Sequence, residues 1–365
     1  MFFRLTILII SFLITSTAFA QPEIAWMHTY DEGLGSQHFY DIYTVSNGGY
    51  VMCGDNSGQT WIVRIDDAGE TVWSRNYRGS KATSIIETDG GNFISCVRSD
   101  NSVIAAVLVN ADGEELWFRE YVRGSPRAII ELKSGEYVLV GRNFGSLSGY
   151  MLCLDREGDV IWETDWEDVS GTLYGLRETN GGIVAGGWAV FVGESPRNRT
   201  WVVKVDFNGE HLWSQIHIPD VGVDGPVGSY CLSIASRPGG GFALAGVAQW
   251  GVVVDNRNAS RIEFMLMAVN DEGDLDWVQT YGGDRRALRW DEAKCINRMD
   301  NGSFMIVGYE NNQDTHRQEA LCVTENGVKR WNRIYNFPDM EISGNTLQSV
   351  VQGHDNSIVA AGYSN

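Results

Sequence analysis

An all-β fold, a seven-bladed β-propeller of four-stranded antiparallel blades, is predicted by three recurring features of the chain. Tryptophan returns at Trp26, Trp73, Trp117, Trp162, Trp213, Trp277 and Trp331, at intervals of 47, 44, 45, 51, 64 and 54 residues. The last six follow a turn of the form Asp/Asn-x-x-Gly-x-x-x-Trp, as with Asp66, Gly69 and Trp73 or Asp206, Gly209 and Trp213; its first residue becomes Asn110, Asn270 or Thr324 elsewhere. Between tryptophans falls a second turn signal, such as Asn47-Gly48-Gly49, Asp89-Gly90-Gly91 or Asn180-Gly181-Gly182. Units of this size with several short strands fit a propeller, whose blades pack face to face.

The first complete unit shows how each element follows. A strand at Ile42–Val45 runs into Asn47-Gly48-Gly49, whose glycines supply the positive φ of a tight hairpin. Tyr50–Cys53 gives the second strand and Trp61–Ile65 the third; the Asp66 turn leads to the fourth, Val72–Tyr77. A ring side chain follows each repeat Trp by four residues: Tyr30, Tyr77, Tyr121, Trp166, His217, Tyr281 and Tyr335. The repeat Trp is expected in the packing between blades, and the turn Asp as an Asx-turn residue. Closure is expected from the N-terminal strand. Trp26–Tyr30 supplies a fourth strand to the first and second strands within Thr346–Tyr363, leaving no open edge. That blade lacks a third strand in the sequence, which favours a truncated chain.

Residues 1–20 carry the marks of a cleaved export leader: Arg4, an apolar run from Leu5 to Ile14, and Ala18-Phe19-Ala20. Residues 21–365 then form a single propeller domain, expected to be secreted, periplasmic or on the cell surface. The apolar run is shorter than the roughly 20 residues of a membrane span, and position 21 is not a cysteine that would carry a lipid. With 47 acidic and 28 basic residues the formal charge is −19, and loss of Arg4 makes it more negative. No Lys/Arg run offsets this, which argues against nucleic acid or an anionic membrane as partner. The six cysteines, Cys53, Cys96, Cys153, Cys231, Cys295 and Cys322, lie in apolar strand-like runs. They read mainly as core thiols, with a disulfide as the alternative that export would permit.

In a four-stranded meander the first-to-second and third-to-fourth turns share one face, and the remaining connections share the other. The first set is uniformly tight. The insertions Val190–Arg199, Val247–Arg261, Pro219–Ser229 and Gly283–Glu292 all belong to the second, and variable loops on a rigid scaffold are where binding concentrates. Trp188, Trp250 and Trp290 fall on or beside them and suit stacking against a ligand. Arg285, Arg286, Arg289 and Asp291 surround the last of these and complete the candidate ligand-binding set, with local packing and mutual ion pairing as the plainer reading. Asp255, Asn256 and Asn258, or Asp220 and Asp224, offer oxygens to Ca²⁺ without EF-hand spacing, so no cofactor is expected. HExxH, GxSxG and P-loop motifs are absent.

Trp277, Tyr281, Gly282 and Gly283, with Asn47-Gly48-Gly49-Tyr50, Ala361-Gly362-Tyr363 and Val203-Lys204-Val205-Asp206, resemble the propeller-like repeats of exported bacterial proteins across residues 24–365. The resemblance implies the fold and export, often with a carboxy-terminal sorting domain, and no activity. The Asp-x-x-Gly-x-x-x-Trp turn is also similar to the Trp-docking motif of quinoprotein dehydrogenases. It has one residue fewer between Asp and Gly, and no vicinal cysteine pair accompanies it. The leading expectation is a non-enzymatic, monomeric binder of a carbohydrate or cell-surface protein through the long-loop face. Alternatives are a glycan-acting hydrolase or lyase using carboxylates such as Asp41 and Asp291 at the channel mouth, and a structural module of a longer surface protein.

Overall fold

The computed structural model describes residues 9–13, 23–30, 35–166, 168–191, 198–219, 228–254, 257–282, 290–311, 316–335 and 345–363. Its first strands are β1 (Ile9–Leu13) and β2 (Glu23–His28). One antiparallel sheet follows from β3 (Gln37–Thr44), β4 (Tyr50–Asn56), β5 (Gln59–Ile65) and β6 (Thr71–Tyr77). The next holds seven strands: β7 (Lys81–Glu87), β8 (Phe93–Arg98), β9 (Val103–Val109), β10 (Glu115–Glu131), β11 (Tyr137–Asn143), β12 (Gly149–Leu154) and β13 (Val160–Asp165). Its long strand β10 pairs β9 from Glu115 to Arg123 and β11 from Gly124 to Glu131, so it closes one meander and opens the next.

Three four-stranded meanders come after it. They are β14 (Val169–Thr179), β15 (Gly182–Phe191), β16 (Arg199–Val205) and β17 (His211–His217); β18 (Gly228–Ser236), β19 (Phe242–Val254), β20 (Arg257–Val269) and β21 (Leu275–Tyr281); and β22 (Glu292–Arg298), β23 (Phe304–Asn311), β24 (His316–Val323) and β25 (Lys329–Tyr335). Finally β26 (Thr346–Gln352) and β27 (Ile358–Tyr363) join the N-terminal strands in the order β2-β1-β27-β26. The fold is an all-β propeller of four-stranded antiparallel blades.

The closing sheet differs from expectation in its third place. Ile9–Leu13 occupies it, pairing Ile9 with Ala361 through Phe12 with Ile358 on one side, and Ile9 with His28 through Leu13 with Glu23 on the other. Unfilled, that place would leave a row of unpaired N–H and C=O groups along β27. The five residues lie within the apolar run read as a leader, so leader removal and a filled third place exclude one another. A second difference concerns Val247–Arg261, expected as a loop. There β19 and β20 continue as one paired ladder from Val247–Phe264 out to Val254–Arg257.

Hydrophobic clusters fill the seams between neighbouring meanders, and each seam carries one repeat tryptophan at its margin. All seven of these indoles are half-buried. The reason is their role as clamps on the next blade's turn. A Cβ built on Gly113, Gly158, Gly209, Gly273 or Gly327 would meet Trp73, Trp117, Trp162, Trp213 or Trp277 within 3.1 Å. The indole N–H of Trp73 donates to Ala111 O (2.9 Å) and that of Trp162 to Phe207 O (2.9 Å). Four residues on, the Tyr77 hydroxyl donates to Gly113 O (2.6 Å), Tyr121 to Gly158 O (3.0 Å) and Tyr281 to Gly327 O (2.6 Å). The turn aspartates are spent locally: Asp206 Oδ1 accepts the Asn208 and Glu210 amides. All six cysteines are free thiols, five of them buried.

His217 fills a tyrosine position of this pattern, its ring 2.9 Å from Gly273 O. Burial lowers its pKa below the ordinary 6.5, against the raising pull of Gly273 O and Asp274. Below about pH 6.5 the unfolded chain therefore binds more protons than the folded one, and stability falls as pH falls toward the depressed folded pKa. His217→Tyr keeps a donor to Gly273 O and removes that proton uptake. Thermal midpoints at pH 7.5 and 5.0 are expected to fall less in this variant than in the parent; equal falls in both would refute the assignment.

Candidate functional site at the ring axis

The innermost strands share one irregularity. In β3, β7, β10, β14, β18, β22 and β26 the register slips by one residue, leaving Tyr40, Thr83, Arg127, Tyr174, Leu232, Lys294 and Gln348 each unopposed by the neighbouring strand. A β-bulge re-aims the side chain of its extra residue. All of these residues line one axial cavity of about 500 Å³.

The residues that follow, Asp41, Ser84, Ala128, Gly175, Ser233, Cys295 and Ser349, also line the cavity and are mostly small. Converging strands leave no room for more: a Cβ on Gly175 would lie 2.9 Å from Ile234 Cγ2. These small groups also serve the amides displaced by the bulge. Asp41 Oδ2 accepts Ile85 N–H (3.0 Å), and Ser233 Oγ accepts Ile296 N–H (3.2 Å), each from the next blade. Asp41 Oδ1 takes the Ser349 hydroxyl (2.7 Å) and its neighbour's amide, Ile42 N–H (3.0 Å). Asp41 thus links three blades across the ring closure. Burial raises its carboxyl pKa despite these donors.

The two ends of the cavity differ in charge. Toward the tight-turn face lie Glu87 and Glu131, which accept the turn amides of Ser46 (2.7 Å) and Asp89 (2.7 Å) from the preceding blade. Toward the long-loop face stand Arg127, its guanidinium 4.6 Å from the Tyr174 ring centroid, and Lys294, paired with Glu292 at 2.9 Å. Lys81 lies 5.0 Å over the Tyr40 ring. Its pKa is lowered by burial first, then by Arg127 and Arg98. Deeper in, Arg177 donates to Leu176 O (2.7 Å). Tyr40 donates to Asp55 Oδ1 (3.1 Å), which also meets His38 Nδ1 at 3.0 Å. Burial raises the Cys295 thiol pKa, with Asp41 adding to the rise, so this sulfur is held as an un-ionised thiol.

Of the described residues singled out in the sequence, Asp41 lines this cavity and Trp188, Trp250, Trp290 and Asp291 do not. Trp188 is half-buried in β15 with the Arg142 guanidinium 5.6 Å from its ring. Trp250 is a correction to the exposed-indole expectation: only 7% exposed, it packs in a seam with Arg261 over its ring at 5.2 Å. Trp290 is 55% exposed and exchanges backbone hydrogen bonds with Asn311. Asp291 is buried and borders a separate cavity of about 600 Å³ between β21 and β24, so Asp41 and Asp291 do not share a site. Arg285, Arg286 and Arg289 lie outside the described residues, as do Asp220, Asp224, Asp255 and Asn256. Among the described residues no cluster of three His, Cys, Asp or Glu could hold a metal ion, and no helix is long and apolar enough to cross a membrane.

No protein-family model matches the chain. No curated sequence matches it either. Solved structures do match in fold. The C-terminal WD40 domain of Sif2 is 8% identical with a TM-score of 0.57, covering 94% of this chain and 86% of that one. The WD40 propeller domain of Doa1 is 11% identical with a TM-score of 0.54, covering 91% and 94%. The Dos1 propeller is 9% identical with a TM-score of 0.52, covering 90% and 78%. At these identities the likeness is one of fold alone.

Proposed function

We propose that this chain is an exported, non-enzymatic seven-bladed propeller that binds a carbohydrate at its long-loop face, centred on the axial cavity. The blade count is supported by the two halves of β10, which belong to successive meanders. Export is supported by the leader-like residues 1–20 and by the resemblance to exported repeat proteins. The binding reading is carried by the bulge repeated in every innermost strand, which turns Tyr40, Arg127, Tyr174 and Lys294 into one cavity. A cavity of about 500 Å³ is within the size range of small-ligand sites, roughly 300–1,000 Å³. Aromatic side chains with hydrogen-bonding neighbours suit a sugar ring. The hydrolase alternative loses its carboxylate pair, because Asp41 is engaged by its neighbours and Asp291 lies at another cavity.

The test is retention on an array of immobilised glycans together with an assay for released reducing ends. Retention without release, lost in Tyr174→Ala, is the expected outcome. Release of product that Asp291→Asn abolishes would replace this reading with the hydrolytic one.

A further inference from the structure

The long-loop mouth of the axial cavity holds a charge arrangement that the propeller scaffold does not need. The protein carries a formal charge of −19, yet two cations stand beside aromatic rings that line this cavity, Lys81 over Tyr40 and Arg127 over Tyr174, and Arg127 disfavours the charged form of Lys81. Among the described residues neither makes an ion pair with a carboxylate. The nearby acids are engaged elsewhere: Asp55 with His38 and Tyr40, and Glu292 with Lys294 and Tyr309. Arg127 Nε is buried and has no hydrogen-bond partner among the described residues.

Each of these two cations instead faces an aromatic ring, Lys81 over Tyr40 at 5.0 Å and Arg127 over Tyr174 at 4.6 Å. Both are half-buried, and a partly desolvated cation without a counter-charge is destabilised, the more so beside a like charge. An incoming anion would relieve both. The acidic groups toward the opposite end of the cavity, Glu87 and Glu131, oppose entry of an anion from that side and hold it at the long-loop mouth.

From this arrangement, and resting on the carbohydrate reading above, we infer that the axial site is selective for an acidic sugar, its carboxylate on the Arg127 guanidinium with Lys81 adding positive potential at the same mouth, and its ring against Tyr40 or Tyr174. Arg127 presents a planar donor fork that matches a carboxylate. Thr83 and Gln348, which also line the cavity, supply donors and acceptors for ring hydroxyls.

Calorimetric titration of the full protein with a galacturonate trisaccharide, the neutral galactose trisaccharide and inorganic phosphate tests this. The expected result is binding of the acidic sugar at least about tenfold tighter than the neutral one, weakening as salt is raised. Arg127→Gln should lose about tenfold or more for the acidic sugar with a thermal midpoint no lower than the parent's, and Arg127→Lys should recover part of it. Lys81→Met gives a second, independent variant with the same expected direction. Equal binding of acidic and neutral sugars, indifferent to both substitutions, would overturn the acid selectivity and leave the carbohydrate reading standing. Phosphate binding as tight as the acidic sugar would reduce the site to a simple anion site. Binding of none of the three overturns the selectivity, and the carbohydrate reading then stands or falls separately on the wider glycan array.

Discussion

Trp201→Ala should destabilise the protein by about 3–5 kcal/mol, the usual loss for a large aromatic removed from a packed core. The indole of Trp201 is fully buried, its N–H donates to Ser214 Oγ at 2.8 Å, and it stands edge-to-face with Trp166 at 5.1 Å. Gly149 and Gly171 are held close by it; a Cβ on Gly149 would lie 2.5 Å from the indole. Nothing larger than glycine fits at Gly149 while the ring is present, and its removal opens a cavity that those backbones do not collapse to fill. Trp162→Ala, at the half-buried repeat position, should cost less, about 1–3 kcal/mol, for part of an apolar face and one hydrogen bond to Phe207 O. Urea unfolding of both variants gives the comparison. A Trp162 loss equal to or larger than that of Trp201 would mean that the repeat tryptophans, not the third-strand indoles, anchor the seams.

Gly209→Ala is expected to be nearly as damaging, at about 2–4 kcal/mol. Gly209 has φ +84°, and a Cβ there would lie 2.6 Å from the Trp162 ring. The substitution therefore meets two penalties at once, a left-handed backbone for an L-residue and a clash across the seam. Gly181→Ala is the control, because a Cβ at that position meets nothing within 4 Å. Its effect should stay within about 0.5 kcal/mol. Comparable losses at both sites would show that the clamp between indole and turn glycine contributes little.

The tight-turn face was legible residue by residue. Asp66, Gly69 and Trp73 sit at fixed spacing because a local turn, a positive φ and a neighbouring indole each demand one residue type, and all three demands repeat with the blade. The pairing partner was less legible: the spacing does not say that Trp73 packs on Gly113 of the following unit instead of its own Gly69.

Of the axial site only Asp41 was legible, and the rest was not, for a different reason. Its sequence trace is a small residue followed by an aliphatic one, as in Asp41-Ile42, Ser84-Ile85, Ala128-Ile129, Gly175-Leu176, Ser233-Ile234, Cys295-Ile296 and Ser349-Val350. The cavity-lining bulge position is the variable residue just before that pair. Plain alternation assigns it to the wrong face, because the bulge breaks the two-residue period at that point. Tryptophans near long loops give the stronger sequence signal, yet burial removes Trp250 from the exposed set.

The sequence by itself determined the fold class, the strand order within each meander and the closing role of Trp26, since these follow from local turn chemistry and a repeat that must bury its faces against its own copies. Only the tertiary structure decided which residues meet at the axis and what fills the third place beside β27. Both depend on strands far apart in the chain converging on one line or one edge. The propeller closes on groups such as Asp41 and Ser349, 308 positions apart, and no periodicity along the chain specifies such a contact.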